Sequence, residues 1–579
     1  MKGNDAARRH HGKLGLTFLR RWSFKRLLAV GLFLVLGDLS NTRSVHVAAD
    51  EPLPPAVPWL EFAMSSILPP DSRPVAKRVY RLRFSPDHEK LAIRDGDNNI
   101  WQYDLKNRTA KLAPRIPKDQ RRVQDFAYSA DGQRLYAVGE RGAPSWLCWT
   151  TTDFELASTS NAVEGRHLER TLAGDLMING RDVLNLQSPI ADPRVRKRSG
   201  LVRSHEGSVT LLMYNLSGLF GESGLEWKEQ RDDQMSNLQT PKLNDHWQQI
   251  LQRQVGRAVG RQSSVGGSLL LSPCGNRVVL LDRRELLLWD AATNEPWQLF
   301  SPDSPGSQNL PVSADILTAK FSPNGQWLAV GTVGRGNPDP IEGEIHLIDM
   351  VAGRWVGQVT TTSQSASALD FSDDQRWLAV ASTSLLDDRV RVFDLDAWVS
   401  RPPPSVGHDP SLLPKLDDLS VADARSALLQ IVHVRQQPEV YREELNSILT
   451  YDTARAQQLI GPVIQRMDSP TYDVRVQAES DLQRMADLFP ASIHELLGET
   501  KLSSEVRFRI QRTIAAMTGI ARMSPQEWRL LCRSMHALEG IAEPWAEQLL
   551  SNSSRHPIRF VARQARLSHH VWLSRHRNL

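Results

Sequence analysis

Between residues 77 and 398 short apolar runs alternate with polar positions, and one of these runs recurs. Residues 84–93 read FSPDHEKLAI, 128–138 YSADGQRLYAV, 271–281 LSPCGNRVVLL, 321–330 FSPNGQWLAV and 371–380 FSDDQRWLAV. Each joins the apolar end of one strand to a Ser-Pro-Asp/Asn-Gly type of turn and then to a period-2 strand, so each predicts strand, turn, strand. A second set of arms follows: IWQYDL at 100–105, LLLWDA at 286–291, IHLIDM at 345–350 and VRVFDL at 390–395. Every arm places an aspartate after an aromatic or apolar residue, as Tyr103-Asp104, Trp289-Asp290, Ile348-Asp349 and Phe393-Asp394.

The repeated serines set the period. Ser85 and Ser129 stand 44 apart, Ser272, Ser322 and Ser372 stand 50 apart, and 143 positions separate Ser129 from Ser272. A period near 40–45 with loop insertions marks stacked small sheets, and the long gap leaves room for two degenerate copies. Residues 176–186 (LMINGRDVLNL) and 209–219 (VTLLMYNLSGL) are the candidates. On these motifs residues 75–400 resemble the WD-repeat family. The resemblance implies an all-β propeller of seven blades, with six or eight as alternatives, and protein binding through its rim and top face. Trp289-Asp290 is the one literal Trp-Asp, and no blade carries the family's Gly-His dipeptide, which makes the chain a divergent relative. Residues 222–262 break the pattern with a charged stretch and then Trp247–Arg253, which reads as an inserted loop with a short helix.

Beyond residue 400 the period changes. Residues 401–414 (RPPPSVGHDPSLLP) form a stiff proline-rich linker. After it, apolar residues recur at helical spacing: Val474, Ala478, Leu482, Met485, Phe489, then Val506, Ile510, Ile514, Met517. Ser469-Pro470 and Ser524-Pro525 place a hydroxyl and a proline where helices begin, and Glu527 completes a capping box. The Asp468-Ser469-Pro470, Val474-Arg475, Ala478, Leu482 pattern resembles the first helix of a HEAT repeat, with a plain bundle as the alternative. Residues 415–579 thus read as an all-α, HEAT-like domain, long enough for a core of its own and expected to fold independently.

The leader adds a location. Residues 1–49 hold a basic stretch through Arg26, an apolar run from Leu27 to Gly37 and the exit Val47-Ala48-Ala49, the three parts of a secretory signal peptide. Cleavage after Ala49 would leave residues 50–74 as an N-terminal segment and an extracytoplasmic protein, periplasmic or secreted. An uncleaved anchor is the alternative, although eleven apolar residues fall short of the ~20 that span a bilayer. The leader carries +7 of the chain's net +4, so the remainder is −3 and gives no general argument for nucleic acid. The last 29 residues still hold Arg555, Arg559, Arg563, Arg566, Arg575 and Arg577 with no acidic residue, a possible contact for an anionic surface.

Candidate chemistry is sparse. Cys148, Cys274 and Cys532 cannot make a disulfide framework and show no zinc spacing. Gly-x-Ser-x-Gly, His-Glu-x-x-His and phosphate-loop motifs do not occur, so no catalytic, cofactor-binding or metal-binding residue is assigned. Asp95-Gly96-Asp97-Asn98 has the look of calcium chemistry but falls where a hairpin turn is needed. Trp101, Trp289, Trp327 and Trp377 lie inside strand arms and are expected in the core. Two readings follow: a non-enzymatic scaffold that binds proteins through sheet faces and helices, or a ligand-binding or enzymatic propeller with its site at the central channel. Charged or histidine side chains converging on the channel favour the second, and an apolar lining favours the first.

Overall fold

The computed structural model describes residues 56–113, 123–139 and 146–160, strand segments between 168 and 238, residues 269–282, 285–290 and 295–300, then 315–333, 343–360, 368–382 and 387–399, and most of 416–576. Among them the chain forms seven antiparallel sheets, six of four strands and one of three. Sheet 1 runs through Val79–Phe84, Lys90–Asp95, Ile100–Asp104 and Thr109–Leu112, and sheet 2 through Val123–Tyr128, Arg134–Gly139, Trp146–Thr150 and Leu156–Ser160. Sheet 3 has Leu168–Arg170, Leu176–Ile178 and Arg181–Asp182; sheet 4 has Gly200–Arg203, Val209–Leu216, Glu222–Arg231 and Gln234–Leu238. Sheet 5 comprises Leu269–Leu271, Arg277–Asp282, Glu285–Asp290 and Glu295–Phe300, and sheet 6 Asp315–Phe321, Trp327–Val333, Glu344–Asp349 and Arg354–Thr360. Sheet 7 takes Ala368–Phe371, Trp377–Ala381 and Arg389–Asp394, and its fourth strand is Leu60–Ala63 from the other end of the chain, with Leu60 opposite Val392.

The recurring motif has one geometry. In all five copies the serine Oγ accepts the N–H of the residue five places on at 2.9 Å (Lys90, Arg134, Arg277, Trp327, Trp377), which closes the turn between the first two strands. Where position three of the motif is Asp or Asn, its side chain takes the N–H two residues further, as Asp87, Asp131, Asn324 and Asp374 do. The fourth position is left-handed in every copy, with φ of 60° at His88, 69° at Gly132, 71° at Gly275, 75° at Gly325 and 60° at Gln375. Glycine suits that conformation and the two side chains there cost strain. Asp95 makes the next hairpin turn of sheet 1: its carboxylate accepts the Asp97 and Asn99 amides, the Asn99 side chain and Trp101 Nε1. Gly96 is required there, because a Cβ would run into the Val75 carbonyl.

The first strands of sheets 7 and 1, 1 and 2, 2 and 3, 4 and 5, and 6 and 7 lie side by side. Sheets 5 and 6 share an apolar cluster that includes Val279, Leu288, Phe321 and Ile348. Trp101, Trp289 and Trp327 are buried and Trp377 is half-buried, so the strand-arm tryptophans pack as core.

Helices follow: α1 (Leu395–Val399), α2 (Ala424–Gln436), α3 (Pro438–Leu449), α4 (Thr453–Met467), α5 (Tyr472–Ala486), α6 (Pro490–Leu496), α7 (Ser504–Ala516), α8 (Pro525–Leu538), α9 (Pro544–Ser553) and α10 (Arg559–Arg575). The capping box at α8 forms, with Ser524 Oγ accepting from the Glu527 amide and the Glu527 side chain returning to Ser524. At α5 the helix starts two residues after Pro470, and Ser469 Oγ takes the Thr471 amide instead.

Three expectations are corrected. Residues 222–231 and 234–238 are strands of sheet 4, not an inserted loop; pairing along Val209–Leu216 overrides their weak β-propensity. Trp247–Arg253, the linker 401–414, the leader and Met517 lie outside the described residues. Val474 is half exposed, since stepping every four residues drifts about 40° per step around a 3.6-residue helix and carries the stripe's end off the core face. The third concerns independence. Sheets 6 and 7 and helices α1, α2, α3, α8, α9 and α10 share one continuous core that joins Leu347 and Phe371 to Leu428, Trp528 and Phe560. Helices α4–α7 alone have a core of their own, around Ile460, Val463, Leu482, Val506 and Ile510.

Candidate functional site

Strand alternation points one side chain in two from each first strand away from the core and towards the space where those strands meet. Arg81 and Arg83 do so in sheet 1, Asp125 and Ala127 in sheet 2, Thr318 and Lys320 in sheet 6, and Ala368 and Asp370 in sheet 7. The result is a cavity of about 270 Å³ lined by first strands of six sheets. Its lining is charged: Arg81, Arg83, Arg170 and Lys320 against Asp370 and Asp373, with Asp125 fully buried behind.

The carboxylates also serve the fold. Asp370 Oδ2 accepts the Phe84 amide at 2.7 Å, clamping sheet 7 to sheet 1, and Asp125 accepts the Leu168 amide at 3.3 Å, clamping sheet 2 to sheet 3. Arg83 spans both, 3.3 Å from Asp125 and 3.4 Å from Asp370. Lys320 pairs with Asp370 and Arg170 with Asp373. Burial, and then the neighbouring Arg83 charge, pull the Lys320 ammonium below the ordinary lysine range, against the opposing pull of Asp370.

At one end of these strands the serine-motif turns of sheets 5, 6 and 7 are gripped by helices. Arg563 donates to Asn276 Oδ1 at 2.6 Å; Asn324 Nδ2 and Gln375 Nε2 donate to Glu539; Gln564 donates to the Asn324 carbonyl; Arg575 donates to the Asp374 carbonyl. The arm aspartate of sheet 6 joins in, as Arg533 Nη2 meets Asp349 at 2.6 Å with both side chains fully buried. Arg563 and Arg575, two of the six C-terminal arginines, are therefore committed inside the molecule.

A third feature faces outward. Tyr472 and Val476 on α5 are 65% and 44% exposed, and Phe508 on neighbouring α7 is 59% exposed, although the core beneath these helices is filled by other side chains. Arg475 lies over the Tyr472 ring, and Arg512 on α7, 60% exposed, pairs with Glu479.

Asp95 to Asn98 is a satisfied turn, and the three cysteines are free and buried. Among the described residues no group of His, Cys, Asp and Glu is placed to hold a metal, and no helix is long and apolar enough to cross a membrane. Reading the sequence for motifs missed the cavity residues, although a signal was present. The position two before each motif serine is Arg83, Ala127, Leu270, Lys320 and Asp370, three of them charged inside a β run. No protein-family model and no curated protein matches the chain.

Proposed function

We propose that this chain is an exported, non-enzymatic binding protein, in which a WD-repeat-like propeller of seven blades carries HEAT-like helices, and that it docks a protein partner on the outward face of α5 and α7. The propeller reading rests on sheets whose first strands neighbour one another and on Leu60–Ala63 pairing into the last sheet. Such an exchange joins the two ends of a ring and leaves no long free edge between them. The docking reading rests on one observation: Tyr472, Val476 and Phe508 are exposed above a core that does not need them. Isolated exposed apolar residues are ordinary, whereas two aromatics and a valine exposed on two adjacent helices are a concentration that suits contact with a partner. The arginines beside it favour a partner with acidic residues at the rim of its contact.

Location is tested by N-terminal sequencing of the protein from its host, which should find Asp50 first; Met1 on stable protein removes export by cleavage. Docking is tested by crosslinking capture with wild type and with Tyr472→Ser/Phe508→Ser. A partner lost by the variant at unchanged melting temperature supports the reading. Recovery of the same partners by both proteins removes it.

A further inference from the structure

We propose that the cavity between the first strands is a binding site for a small oxyanion, a phosphate or carboxylate group held by Arg81 and Lys320. The argument starts from donors and acceptors. The acids in and behind the lining are occupied: Asp370 and Asp125 each accept a backbone amide from the next sheet and an Arg83 contact as well, and Asp373 pairs with Arg170. They hold neighbouring sheets together and have little capacity left for a ligand's donors.

The cations are differently placed. Arg81 has five N–H donors and, among the described residues, makes no hydrogen bond; its one ion pair is Asp125 at 3.8 Å. Lys320 has three donors and, among the described residues, one partner, Asp370. Both side chains keep access to the cavity, at 26% and 32% exposure. Formal charge in and just behind the lining is four cations against three carboxylates. Cations with unspent donors lining a partly enclosed space favour an anion that brings oxygen acceptors, and guanidinium and ammonium groups both suit the oxygens of a phosphate or carboxylate. Ala127, Thr318 and Ala368 leave this part of the wall unobstructed, and a volume of about 270 Å³ admits a group of metabolite size. Leu82, Phe84, Phe321 and Phe371 also line the cavity, and partial enclosure beside these apolar groups strengthens the attraction relative to open solvent. This site is separate from the α5 and α7 face, so variants of one leave the other untouched and the two proposals fail separately.

The experiment titrates purified full chain with sodium phosphate, with sodium succinate and, at matched ionic strength, with sodium chloride, following the melting temperature. A saturable rise with an oxyanion and none with chloride is expected. A rise with phosphate alone assigns a phosphate ligand, and one with succinate alone assigns a carboxylate. Arg81→Gln, which disturbs no hydrogen bond among the described residues, should shift the half-saturating concentration upward by about tenfold, and Lys320→Gln should do likewise. Thr318→Met, which narrows the cavity from a partly buried position without touching a charge, should also weaken the response and keeps the test valid if a charge variant is unstable. No saturable rise with either oxyanion overturns the proposal. So does a rise that survives both Arg81→Gln and Thr318→Met at wild-type concentrations, which would locate the anion elsewhere.

Discussion

Single residues at the meeting of turns and helices carry much of the electrostatic strain. Glu539, fully buried, has its carboxyl held up at about 7 by burial, against the downward pull of Ser568, Asn324, Arg575 and Arg435. Its folded value lies above its unfolded one, so its stabilisation is complete below the ordinary carboxylate range and is lost as pH rises through 7. His536, on the same helix, is held well below the usual imidazole range by burial and then by Arg533, and works in the opposite sense, losing stability as pH falls. Comparing wild type with Glu539→Gln cancels the histidine. At pH 8 the glutamine variant should be the more stable by up to about 3 kcal/mol, and that lead should shrink to less than about 1 kcal/mol by pH 5. Urea midpoints at the two pH values check this, and an unchanged difference between them excludes it. His88 and Gln375 are a second case. They sit in left-handed backbone where the sister turns have glycine, and both reach across, His88 to Asp374 at 3.3 Å and Gln375 to Glu539 at 3.0 Å. Strain at those two turns accompanies contacts that glycine cannot make.

At the scale of elements, the serine turn repeats with its hydrogen bonds conserved while the residues around it change task. The turns of sheets 5 to 7 bind helices, whereas Ser129 to Arg134 of sheet 2 remains mostly exposed. The helices divide in a similar way. Leu482→Ala removes a fully buried side chain from the α4–α7 core and should cost about 2–5 kcal/mol. Hydrogen exchange should show faster opening in α4–α7 and little change in sheets 6 and 7, because none of the described side chains of α4–α7 enters the core shared with those sheets. Uniform acceleration over the whole chain would contradict that division. Ser524→Ala, which breaks the capping box of α8, should cost about 1 kcal/mol in overall stability, since α8 belongs to the shared core.

Across the whole molecule, sheets 6 and 7 and helices α1–α3 and α8–α10 share one core and should unfold together. Arg533→Met leaves Asp349 charged and buried without its closest partner and should cost about 3–5 kcal/mol; adding Asp349→Leu should return much of the loss. Denaturation midpoints of the single and double variants decide this, and equal values would show that the pair is not coupled. For the same reason an isolated 415–579 fragment should show less helix by circular dichroism than the same residues have in the full chain, because α2, α8 and α10 lose the sheet surface that Leu428, Trp528 and Phe560 pack against, while α4–α7 keep their own core.

The strands, their turns, the switch to helices beyond residue 414 and the cap of α8 were legible in the sequence, because period, turn chemistry and capping act over a few residues. Sheet 4 was only half legible: Glu222–Arg231 is charged and takes its strand form from pairing with Val209–Leu216. The cavity was visible only as unexplained charges inside strands. Arg83 and Asp370 are 287 positions apart, and nothing local says that they meet at 3.4 Å. The same holds for Asp349 with Arg533 and Asn324 with Glu539. Local chemistry dictates which elements form, whereas the meeting of charges distant in sequence depends on how the sheets are arranged and on which helix faces must be buried, and only the tertiary structure decides that.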